Sequence, residues 1–168
     1  ANATYHAVVE VFALLGQFGA FALLPLASLA SRAYQANDAR TIFGLTGVTL
    51  RMGFATGCIG MLVMEVGASS LIQFFEDTQP LLPTAPLYCR LLGLVFPLSV
   101  VNGGLVALLS GCAEYLFCFA APMATYVVSL VFSLLFWLSG DLSVLVLNFM
   151  INQVIAFALF AWWIQRFL

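Results

Sequence analysis

Hydrophobic residues run along this chain in five long stretches, parted by short polar breaks. The first reads from about residue 5 to 33 and closes on the polar run Tyr34-Gln35-Ala36-Asn37-Asp38-Ala39-Arg40. The second, about 41–75, is too long for one bilayer crossing and predicts an end projecting into water. Glu76-Asp77-Thr78-Gln79-Pro80, with Pro83 and Pro86 behind it, reads as a loop running into the first turn of the next helix. The remaining stretches, about 85–109, 115–138 and 142–167, are divided by Ser110–Glu114 and by Ser139-Gly140-Asp141. Each stretch holds the roughly 20 apolar residues that a spanning helix needs. The pattern predicts an all-α, polytopic membrane bundle of five transmembrane helices, with residues 1–168 forming one unit.

Composition sharpens this reading. Hydrophobic residues make up 64% of the chain and charged residues 7%, where a soluble domain carries about a quarter. There is no lysine, and five arginines and seven acids cannot cover a water-facing surface. The lack of basic clusters argues against nucleic acid. No basic n-region with a small-residue cleavage site precedes the first stretch, which carries Glu10 and Gln17, so it does not read as a signal peptide. Cys58, Cys89, Cys112 and Cys118 show no metal-ligand spacing and read as small packing residues.

Arginine placement gives an orientation. With alternating spans, Arg32, Arg40 and Arg166 fall on one side, with Arg51 near it, while Arg90 lies near the side of Glu76, Asp77 and Asp141. The positive-inside rule then predicts an integral, multi-pass protein with its N-terminus outside and its C-terminus cytoplasmic.

Candidate chemistry concentrates in the first helix. His6, Glu10 and Gln17 are spaced by four and seven, which sets them within about 40° on a helical wheel. An ionisable residue inside a span costs about 3 kcal/mol and usually faces a bundle interior or a wet cavity. Glu10 is therefore the ion-coupling candidate, able to bind and release a proton or sodium ion, with His6 and Gln17 tuning it or touching substrate. The bland alternative is an interfacial carboxylate snorkelling to water.

In the second helix, Gly53, Gly57, Gly60 and Gly67 share a face with Thr49 and Thr56 and predict a packing seam. Glu65 lies off that face and is expected to pair with Arg90. The third helix carries Ser99 and Asn102 beside Pro97 and Gly103-Gly104, the fourth Thr125, Ser129, Ser133 and Tyr126, and the fifth Asn148, Asn152 and Gln153. Interhelical hydrogen bonding accounts for these polar residues. Their presence on every helix also suits a wet interior, which makes Asn102, Tyr126 and Asn148 cleft-lining candidates. HExxH, GxSxG and P-loop motifs are absent, so no enzyme and no cofactor is expected.

The order of these signals resembles the MATE (multidrug and toxic compound extrusion) family. LASRAYQAND at 29–38, followed by a basic residue, is similar to that family's v-x-(q/r)-x-l-G-a-g-d turn. FFEDT at 74–78 resembles its l-F-t-d-d-p-e-v loop, and PLSVVNGGLVALLSGCAE at 97–114 its q-P-x-x-a-l-n-x-v-x-x-G-x-L-r-G-x-g-D pattern. The helix holding Asn148-Phe149-Met150 looks like the last helix of a lobe in the DinF-type branch.

The resemblance implies helices two to six of one six-helix lobe, the C-terminal one, partnered by the lobe's first helix and by the other lobe across a central cleft. It implies an antiporter that exports an organic solute or drug in exchange for protons or sodium. Ser99 stands where some members carry aspartate, Ser110 replaces the loop arginine and Glu114 the turn aspartate, so the family's ion-coupling residues do not transfer directly. Two other readings stay open: a small structural or accessory membrane subunit, and a lipid-linked saccharide flippase of the same superfamily. The latter calls for cleft arginines to hold a pyrophosphate, and none is well placed.

Overall fold

The computed structural model describes residues 2–23, 25–74, 83–113 and 115–167. Within them the chain forms helices α1 (Asn2–Leu23), α2 (Pro25–Gln35), α3 (Ala39–Phe74), α4 (Ala85–Gly111), α5 (Tyr115–Ser139) and α6 (Leu142–Phe167), with no strand among the described residues. The expected loop Glu76–Pro80 and the turn residue Glu114 lie outside the described residues. Four helices, α3, α4, α5 and α6, are long and apolar enough to cross a membrane over the described residues. The molecule is an all-α membrane bundle.

Four of the expected helices match to within about two residues at each end, and the first, over 5–33, is covered by α1 and α2. Residue 24, between α1 and α2, lies outside the described residues. The Ser28 hydroxyl donates to the Pro25 carbonyl at 2.9 Å.

The α2–α3 turn follows from two residues. Asn37 takes a left-handed φ of 52°, and the Asp38 N–H reaches back to the Ala33 carbonyl at 2.9 Å, closing the end of α2. Asp38 then caps α3, accepting from the Thr41 N–H at 3.0 Å and from its hydroxyl at 2.5 Å. These bonds hold the exposed Asp38 carboxyl below its ordinary range. The α5–α6 turn repeats the logic, with Gly140 at φ 66° and the Asp141 carboxylate accepting from the Ser143 N–H at 2.9 Å.

Helix α4 is the axis of the bundle. It is apolar on every side, as a helix surrounded by neighbours should be, and it contacts each of the other five. Leu92, Phe96, Leu105, Leu108 and Leu109 are fully buried. Lipid tails are as apolar as leucine, so in a bilayer close packing rather than water exclusion must hold helices together.

The α3–α4 seam provides that packing. A Cβ on Gly57 would stand 2.3 Å from the Pro97 Cα, one on Gly60 2.2 Å from the Phe96 ring, and one on Gly53 3.2 Å from the Val101 Cα. Thr49 fills the reciprocal space over Gly104. The seam expected from the sequence therefore exists, though Gly67 is not part of it: its nearest neighbour is Leu71 of its own helix. On the other side of α4, the Phe12 ring of α1 meets Phe96 edge-on at 4.9 Å and Phe149 of α6 at 4.8 Å.

Candidate functional site

Helix α1 has two opposite faces. Thr4, Val8, Val11, Phe12 and Gly19 are buried against the bundle. His6, Glu10 and Gln17 lie about half a helical turn away and are all exposed. The helical spacing read from the sequence thus places them on one stripe, and that stripe faces away from the bundle. Its depth follows from the contacts beside it. Phe12 touches Phe96, about 16 Å along α4 from its start, and Gly19 packs on Val100. Gln17 is therefore close to the middle of the bundle and Glu10 about two turns further out. Among the described residues no ion pair engages Glu10 or His6.

A second polar group runs through the bundle instead of over it. Asn102 on α4, only 6% exposed, donates through Nδ2 to the Gln153 carbonyl at 2.9 Å and to Gln153 Oε1 at 3.0 Å. Asn152, next along α6, donates to Ser129 Oγ of α5 at 2.8 Å and to Asn148 Oδ1 at 3.0 Å. One belt of amides and a hydroxyl thus ties α4, α6 and α5 near mid-height. The Oδ1 atoms of Asn102 and Asn152 are buried without a hydrogen-bond partner among the described residues.

A furrow lies between α1–α2 and α4. Its upper part, about 260 Å³, is lined by Gly16, Ala27, Ser99, Gly103 and Ser110; its lower part, about 660 Å³, shares Ala27 and Ser110 and reaches Ser31, Tyr34 and Gln35. The furrow therefore extends from the level of Ser99 to the arginine-rich end of the bundle. Small side chains make the space, since a Cβ on Gly16 or Gly103 would meet nothing within 4 Å.

The candidate residues thus separate into groups. Glu10, His6 and Gln17 form the outer stripe of α1, and Asn102 and Asn148 belong to the internal belt. Tyr126 is 68% exposed on α5, with no hydrogen bond among the described residues to either group. The expected Glu65–Arg90 pair does not form: no nitrogen–oxygen approach within 4.0 Å joins them. Glu65 Oε1 instead lies over Gly93, 3.7 Å from where a Cβ there would stand. The furrow was missed as a whole, although Ser99, Gly103 and Ser110, at steps of four and seven, carried its signal.

Cys58 and Cys89 are free thiols, and no cluster of three or more His, Cys, Asp or Glu among the described residues could hold a metal ion. No protein-family model, no curated protein and no solved structure matches the chain.

Proposed function

We propose that this chain forms part of one lobe of a MATE-like secondary antiporter, exporting an organic solute in exchange for protons or sodium. The observation that carries the reading is the His6–Glu10–Gln17 stripe, exposed on the face of α1 averted from the bundle. Lipid is a poor neighbour for that face, since a carboxylate at such a depth costs about 3 kcal/mol. A wet cleft against a second lobe removes the cost. The furrow beside α1, open towards the arginine-rich end, is a second support for solute access.

Glu10 is the ion site in this reading, with His6 and Gln17 flanking it. Neutralising Glu10 by a proton or a sodium ion lowers the cost of bringing it under apolar cover. The ion thereby binds the two orientations of the lobe with different affinity, which is what coupling requires. Asn102 and Asn152 keep α4, α5 and α6 together in this conformation, with Asn148 accepting from Asn152 within α6.

The test uses the full-length protein in proteoliposomes under an imposed proton or sodium gradient. Glu10→Gln should abolish ion-driven efflux while solute binding persists, and Glu10→Asp should restore part of it. Unchanged coupled efflux in Glu10→Gln would remove Glu10 from the mechanism. The accessory-subunit reading is favoured by the interhelical hydrogen bonds of the belt, which need no transport role. It predicts that no gradient drives solute movement in any variant.

A further inference from the structure

Between α3 and α6 lies a separate crevice of about 270 Å³, away from both the stripe and the furrow. Phe43, Gly47 and Leu50 line it from α3, and Phe157, Ala161 and Gln165 from α6. Its walls are almost wholly apolar, and Phe43 and Leu50 are exposed on the outside of the bundle. Two arginines flank it. Arg40 sits three residues before Phe43 and Arg51 four after Gly47, spacings that make helical neighbours of each pair. Both arginines are exposed.

Arg51 is the informative one. Gly53 packs against Val101, so Arg51 stands roughly 12 Å inside the end of α4 at Gly111. No ion pair within 4.0 Å neutralises it among the described residues. From that depth its side chain can snorkel past the crevice to the headgroup level of that end, where a lipid anion comes within its reach. The neighbouring crevice is shaped for hydrocarbon.

We infer that this crevice holds one acyl chain of an anionic phospholipid from the surrounding bilayer, with its phosphate on Arg51 and Arg40 at the rim. The lipid supplies what each half lacks: an apolar filling for a gap between two spans, and a negative charge for an arginine without a partner. A zwitterionic phospholipid with the same chains fills the crevice but leaves the net positive charge uncompensated. Preference for the anionic headgroup therefore resides in the arginines and chain retention in the walls.

Native mass spectrometry of the full-length protein, delipidated and titrated with phosphatidylglycerol or phosphatidylcholine of identical chains, separates the two contributions. Arg51→Gln should cut phosphatidylglycerol retention by about fivefold, the worth of one arginine near a lipid surface, and leave phosphatidylcholine unchanged. Gly47→Leu should reduce retention of both lipids, because it fills a space where a Cβ meets nothing within 4 Å and so disturbs no packing. Equal retention of phosphatidylglycerol by the wild type and Arg51→Gln would overturn the headgroup assignment. Undiminished retention of both lipids in Gly47→Leu would overturn the crevice as the site.

Discussion

The α3–α4 pair and the α5–α6 pair are both built from apolar helices, yet they are held by different means. Along α3–α4 the backbones touch: Gly57 admits Pro97 with no room for another carbon, and Gly53 packs tightly on Val101. Helix α5 keeps its large side chains outside, with Leu130, Leu134, Trp137 and Leu138 all exposed. It accepts a side-chain hydrogen bond from α6, Asn152 Nδ2 to Ser129 Oγ. Since lipid competes equally for every leucine, apolar content alone cannot say which helices pack. Small residues at helical spacing can. Glycine makes an interface by shape, whereas the amides of α6 make one by hydrogen bonds.

The sharpest way to break this contrast is to add bulk at the seam. Gly57→Leu would force α3 away from Pro97 along the backbone, and the expected loss is about 3 kcal/mol or more, the upper range for overpacking a tight interface. Denaturant titration of the purified protein in mixed micelles measures it. Leu134→Ala on α5 should change stability by less than about 0.5 kcal/mol, as substitutions outside the packed region do. If Leu134→Ala costs as much as Gly57→Leu, then α5 is packed against a partner and the contrast fails.

Much of this division was legible in the sequence, and the misses share a cause. The glycine seam could be read because a periodic run of small residues fixes both the face and its role. The Asn37-Asp38 turn could be read because few residues accept a left-handed backbone and then cap a helix. The wheel placed His6, Glu10 and Gln17 on one stripe of α1. Its direction depends on where α4 and α6 lie, and that is set by Phe12 meeting Phe96 and Phe149. Glu65 and Arg90 failed as a pair for the same reason: opposite charge at similar depth does not fix the angle between two helices.

Weakening the belt should have a smaller effect than filling the seam. Asn102→Val with Gln153→Leu, measured as a double-mutant cycle, should give a coupling of about 0.6 kcal/mol, the typical worth of an interhelical hydrogen bond in a membrane. The single change Asn102→Val also removes the Oδ1 atom that is buried without a partner, so its cost should stay below about 2 kcal/mol. A coupling near that of a buried charge pair would make the belt, rather than the seam, the main fastener.

The smallest effect belongs to the turn that leads from α2 into α3. Asp38 holds α3 in place after α2 through its bonds to Thr41, and these lower its pKa below the ordinary 3.8. A carboxyl lowered in the folded state stabilises that state fully above the ordinary value, and the contribution fades as pH falls through the lowered one. Asp38→Ala should therefore melt slightly below the wild type in detergent at neutral pH, and the gap should narrow once the solution is acid enough to protonate Asp38. Because Asp38 is fully exposed, solvent screening keeps the effect small, and added salt should shrink the part owed to Arg40 while sparing the hydrogen bonds. Helix α3 would stay seated on α4 throughout, since its glycine contacts carry no charge. A large, pH-dependent loss in Asp38→Ala would instead show that the seam depends on the cap, and that α3 is held from its end rather than along its length.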